Sequence, residues 1–121
     1  MRYMFLIYSQ EQSEPLAPEQ AQTLMNNHWA VMRDAQEKGI LVGVDALKPT
    51  NTATTVRVSG GSALTTDGPF AETKEQLAGY YILECQNLDE AIDWARKIPT
   101  ACKGSEGCVE IRPIIDIANY L

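Results

Sequence analysis

The stretch Ala78–Pro99 reads AGYYILECQNLDEAIDWARKIP. Ala78–Cys85 is dense in aromatic and aliphatic residues and predicts a strand. Alternation sends Tyr81, Leu83 and Cys85 to one side of it and Tyr80, Ile82 and Glu84 to the other, so both sides carry apolar or aromatic groups. Asn87 then supplies a helix cap, and Glu90, three residues on, completes capping-box spacing. Leu88, Ala91, Ile92, Ala95 and Ile98 form one apolar stripe, and Pro99 closes the helix.

The same pattern recurs outward from this stretch. Arg2–Tyr8 (RYMFLIY) predicts a first strand, with Tyr3, Phe5 and Ile7 opposed to Arg2, Met4, Leu6 and Tyr8. Pro18 is suited to the first position of a helix. Ala21, Leu24, Met25, His28, Trp29, Met32 and Ala35 recur at helical spacing, and Gly39 is the expected stop. Ile40–Leu47 predicts a strand, Pro49-Thr50-Asn51 a turn, and Thr54–Ser59 a further strand ended by Gly60-Gly61, with Ala63–Thr65 pairing back as a short continuation. Cys108–Pro113 is the last strand, where Val109 and Ile111 oppose Glu110 and Arg112. The order β-α-β-β-β-α-β over one domain, residues 1–121, describes an α+β ferredoxin-like sandwich. Two single-striped helices must cover the same sheet face. The second face is too apolar to be left wet, so a second copy of the chain is expected to cover it, giving a homodimer with a cavity lined by Tyr, Arg and Glu.

Composition narrows the function classes. The 10 Lys and Arg against 16 Asp and Glu give a formal charge of −6, with no basic cluster, which argues against nucleic-acid binding. No apolar run reaches the ~20 residues of a membrane span. Three cysteines, Cys85, Cys102 and Cys108, without a CxxC pair or an export signal, fit reduced thiols in a cytoplasm. Cys102 and Cys108 flank a glycine-rich loop and could pair under oxidation, but three thiols and one distant His make no metal set. No phosphate-binding glycine loop, catalytic triad order or cofactor motif occurs, so no cofactor is expected.

Asp67-Gly68-Pro69-Phe70-Ala71-Glu72-Thr73-Lys74-Glu75 is the most unusual segment. Asp-Gly-Pro is turn chemistry. Pro69 has no N–H, so the Asp67 carboxylate is expected to accept from the N–H of Phe70, while Pro69 restricts Gly68 toward extended geometry. Phe70, the only large apolar residue between Leu64 and Leu77, is expected to plug into the core. Thr73 and Gln76 have the spacing of one capped helical turn. A rigid, solvated turn accounts for these features. Alternatively, the segment presents Asp67, Glu72, Lys74 and Glu75 to a pocket. His28, the only His, reads first as a boundary residue of its helix; beside Asp67 or Glu72 it becomes a base with an orienting partner. With Glu75 these form the candidate catalytic set. Lys74, Arg57, Arg112 and Tyr80 are the candidate ligand-binding residues, the two Arg suiting an anionic substrate.

Asp67–Phe70 with Ala71–Glu75, followed by Gly79-Tyr80-Tyr81, resembles the signature of the DGPF family, a branch of the YCII-related proteins. Tyr3–Tyr8, Gly39–Val42, Ala53–Arg57, Asp89–Ala91 and Val109–Pro113 extend the likeness over nearly the whole chain. The resemblance implies a dimeric α/β barrel of ferredoxin-like protomers. It implies enzymes acting on small lactone-like or halogenated ring compounds through a His on the first helix, matched by His28, and an Asp after the second. Ile98-Pro99 stands where the expected Asp-Pro would be. It also implies an association with alternative sigma factors. The functions carried forward are a cofactor-free isomerase, lyase or dehalogenase, a non-catalytic ligand-binding or sensory module linked to sigma-factor regulation, and, by fold analogy alone, an oxygen-using enzyme.

Overall fold

The computed structural model describes residues 1–11, 16–100 and 107–120. Strand β1 (Arg2–Ser9) leads into helix α1 (Pro18–Glu37), strand β2 (Leu41–Ala46), the hairpin β3 (Thr54–Ser59) and β4 (Ser62–Asp67), strand β5 (Gln76–Glu84), helix α2 (Leu88–Ala95) and strand β6 (Gly107–Pro113). The main sheet has the order β2-β5-β1-β6 with every pairing antiparallel, and β3-β4 forms a separate two-stranded sheet. Apart from the hairpin, this order is consistent with a ferredoxin-like α+β sandwich. The sheet is open, with β2 and β6 at its edges, and does not close into a barrel.

Alternation divides the sheet as expected. Tyr3, Phe5 and Ile7 of β1 and Tyr81, Leu83 and Cys85 around β5 are buried against Val31 and Ala35 of α1 and Ala91, Trp94 and Ile98 of the α2 region. Both helices therefore cover one face, and burial of these side chains supplies the main driving force for folding. Local chemistry fixes the helix ends. Pro18 opens α1, and Gly39 ends it at φ +72, a conformation that favours glycine. The Asn87 side chain accepts from the N–H of Glu90 at 2.9 Å, while the Glu90 carboxylate reaches back to the N–H of Gln86 rather than of Asn87. Among the described residues, no helix is long and apolar enough to cross a membrane.

Several local expectations are corrected. The continuation expected at Ala63–Thr65 is a full strand, Ser62–Asp67, paired along its whole length with β3. Phe70 does not enter the core; it is 78% exposed. Asp67 does not cap Phe70. The turn is held by its backbone, with the Gly68 N–H donating to the Ala53 carbonyl at 2.7 Å and the Thr55 hydroxyl donating to the Gly68 carbonyl at 2.8 Å. Gly68 is not extended but sits at φ +98, which a residue with a Cβ resists. The helical turn at Thr73–Gln76 is absent. Thr73 Oγ1 donates to the Glu75 carbonyl and Gln76 Nε2 to the Thr73 carbonyl, and the chain enters β5 at Gln76. Cys102 and loop residues 103–106 lie outside the described residues.

Candidate functional site

The sheet face away from the helices is the surface on which polar and apolar groups converge. Register builds it row by row. Asp45, Tyr80, Leu6 and Glu110 are successive cross-strand neighbours over all four strands, and Gly43, Ile82, Met4 and Arg112 form the row beside them. Met4, Leu6 and Ile82 give a half-buried apolar floor. A bulge between Ile7 and Tyr8 shifts the pairing so that Leu77, Tyr8 and Cys108 make the next row.

Around this floor, three proton donors each lie beside a carboxylate. The Tyr80 hydroxyl donates to Asp45 Oδ2 at 2.5 Å, and the Tyr8 hydroxyl lies 3.4 Å from Glu110 Oε1. The Cys108 thiol lies 3.6 Å from Glu75 Oε2. These partners keep the donors protonated. The hydrogen bond to Asp45 raises the Tyr80 phenol above its ordinary value. Desolvation, then Glu110, raises Tyr8, and desolvation, then Glu75, raises Cys108. The face thus offers hydrogen-bond donors backed by carboxylates around an apolar floor, the usual make-up of a small-molecule site. At its far end a cleft of about 560 Å³ opens between Arg2, Glu84, Ile114, Asp116, Asn119 and Tyr120.

The sequence-derived candidates do not all meet here. Glu75, Tyr80 and Arg112 belong to this face. Asp67 ends β4, Arg57 stands on β3, and Glu72 and Lys74 lie in the segment between β4 and β5; all four are exposed. His28 lies on the other side of the sheet. Its Nδ1 is 2.8 Å from the hydroxyl of buried Tyr81, and the two rings stack with centroids 6.0 Å apart. His28 and Glu75, members of one expected catalytic set, therefore lie on opposite sides of the sheet, because a helix that covers one face cannot present its buried stripe to the other. Burial holds the His28 imidazole below its ordinary value and pushes the Tyr81 phenol up to about 12, so both are neutral at pH 7.

Asp45, Tyr8, Glu110 and Cys108 were not singled out from sequence. The alternation that assigns Glu110 and Tyr8 to the open face is legible, and pairing them needs only the β1–β6 register. Asp45 is harder, since the register shift between Leu41 and Gly43 changes the phase of β2 and returns Asp45 to the face of Tyr80. No group of three or more His, Cys, Asp or Glu side chains able to hold a metal occurs among the described residues.

Comparison with known proteins agrees with the YCII-related likeness read from the sequence. The model of the YCII-related domain matches residues 1–118. An uncharacterised protein of Rhizobium meliloti (strain 1021) is 43% identical over 115 residues, which cover 94% of this chain and 92% of that protein. The chain belongs to the YCII-related family.

Proposed function

We propose that the chain is a small-molecule-binding protein that works as a homodimer, with the open sheet face as its ligand site. The observation that carries this reading is the apolar floor of Met4, Leu6 and Ile82 ringed by Tyr80–Asp45, Tyr8–Glu110, Cys108–Glu75 and Arg112. Surface area supports the homodimer. A compact 13.4 kDa monomer exposes about 6,500 Å², and this chain exposes 8754 Å², roughly 2,200 Å² more. A standard interface needs about 800 Å² from each partner. A sensory role, with the sigma-factor association that the DGPF likeness implies, belongs to this reading.

The second reading is a cofactor-free acid/base enzyme on small cyclic or aromatic compounds, of isomerase, lyase or dehalogenase type. Its support is the set of donors already within hydrogen-bond reach of carboxylates, with Glu75 the one member of the expected catalytic set that adjoins them. His28, Asp67 and Glu72 would act in it only from outside this face.

A thermal-shift screen against a metabolite library tests the site. A ligand at 100 times its Kd adds about 2.7 kcal/mol of stability. The expected hit stabilises the parent chain and loses its effect in both Tyr80→Phe and Arg112→Ala. A hit indifferent to both substitutions moves the site away from this face. Turnover of the hit, abolished by Asp45→Asn without loss of binding, would select the enzyme reading.

A further inference from the structure

Among the described residues, the β3–β4 hairpin forms a sheet of its own, and most of its side chains are exposed. Its two faces are Val56, Val58, Thr65 and Ala63 on one side and Thr55, Arg57, Leu64 and Thr66 on the other, as the register dictates. Both faces meet solvent: Val56 is 58%, Leu64 62% and Val58 74% exposed. A lone two-stranded hairpin is marginal in water and needs a third layer to be stable. The same chain leaves a second surface uncovered, the open sheet face with its apolar floor. The two surfaces also complement each other in charge. Between its ends the hairpin carries one charged residue, Arg57, which makes no ion pair among the described residues. The open face carries Asp45, Glu75, Glu84 and Glu110 against Arg2 and Arg112, and Glu75 and Glu110 adjoin one another's rows at the β6 edge.

We infer that the hairpin is an exchanged arm: in a two-fold homodimer each chain lays β3–β4 over the other chain's open sheet face and sets Arg57 against the partner's Glu75 and Glu110, so that each ligand site is closed in trans. This inference rests on the homodimer and on the open-face site proposed above. One uncovered arm and one uncovered sheet face per chain are what an isologous pair satisfies, because each chain gives and receives once and the pair closes on itself. The excess exposed surface is large enough to supply both contacts. Arg57 then acts as a positioning residue, clamping the acidic edge beside Tyr8 and Cys108.

Charge reversal tests the contact with the full-length chain. Dimer dissociation constants are measured by analytical ultracentrifugation for the parent chain, Arg57→Glu, Glu110→Arg and the double variant, with far-ultraviolet circular dichroism as the folding control. The expected result is at least tenfold weaker dimerisation for each single variant, and recovery of most of that loss in the double variant, where the charges again oppose. Should Glu110→Arg fail to fold, Glu75→Arg takes its place on the same edge. A smaller effect of Arg57→Glu, no recovery in the double variant, or a parent chain that is monomeric at micromolar concentration overturns the arm. A parent dimer that ignores Arg57→Glu while Tyr80→Phe still abolishes ligand stabilisation overturns the arm alone and keeps the open-face site.

Discussion

The His28–Tyr81 pair is the most sharply defined polar contact on the helix side of the sheet, and its consequences for stability follow from its burial. His28 Nδ1 and the Tyr81 hydroxyl share one hydrogen bond, whose donor is set by the imidazole tautomer. Because burial lowers the His28 pKa below 6.5, the unfolded chain takes up its proton first, and stability falls as pH drops below that value. Chemical denaturation between pH 7.5 and 5 should therefore show a decline that His28→Gln flattens. At the alkaline end the sign reverses. The Tyr81 phenol is pushed from 10.0 to about 12, so its contribution is intact below pH 10 and lost as pH rises toward 12. Tyr81→Phe should remove that limb, but not the earlier one from Cys85, raised by burial from 9.0 to about 11. At neutral pH, Tyr81→Phe should cost about 1–2 kcal/mol, since it deletes one hydrogen bond and leaves the ring in place. Phe70 makes the opposite point. An apolar residue in a polar segment reads as a core anchor, yet its ring is exposed, so Phe70→Ala should change stability by less than about 0.5 kcal/mol in urea titration at concentrations where the chain is monomeric.

At the scale of elements, strand faces and helix caps were the most legible features, because a period of two and a capping side chain are local properties. Tyr3, Phe5 and Ile7, together with Tyr81, Leu83 and Cys85, point inward as alternation predicts. Helix facing was less legible. The stripe through Met25 and Trp29 leaves both exposed, while Val31, outside that stripe, is buried with Ala35. Helix α1 carries more apolar residues than one contact line can bury, and only tertiary packing selects among the possible lines. The site was partly hidden for a related reason. A bulge in β2 moves Asp45 into place, another between β1 and β5 sets Leu77 rather than Ala78 opposite Tyr8, and no local propensity announces a bulge. Gly79 is the nearest signal to one. A Cβ added there would lie 2.7 Å from the Asp45 carbonyl oxygen, so the residue lets β2 approach β5 closely. Gly79→Ala should cost about 1–3 kcal/mol by urea titration, and it should loosen the Tyr80–Asp45 contact. Gly68→Ala should cost at least ~1 kcal/mol in the same assay, because it strains the turn at φ +98 rather than the packing.

For the whole molecule, the chain holds a well-filled core on one side of its sheet and leaves the other side open. Among the described residues, the eleven buried hydrophobic side chains all lie between the helices and the sheet. Val56, Val58, Leu64 and Phe70, on or beside the hairpin, remain exposed, as does Leu77 on the open face. A domain is ordinarily stable once its sheet is covered on the faces that are apolar, and this sheet is apolar on both. If a second copy completes the layer, assembly and folding are thermodynamically linked, because only the folded chain offers the interface. The midpoint of thermal unfolding should then rise with protein concentration, and light scattering at micromolar concentration should give twice 13.4 kDa. Replacing Leu6 with Asp tests the link at the centre of the open face. Its side chain points away from the helix-side core, so the monomer should keep its fold, while the buried charge should prevent pairing. The variant should scatter as a single chain and unfold at a midpoint that no longer depends on concentration. A parent chain with a concentration-independent midpoint and the mass of one copy would mean that the open face is a monomer's surface, and the ligand would then have to cover the floor of Met4, Leu6 and Ile82 by itself.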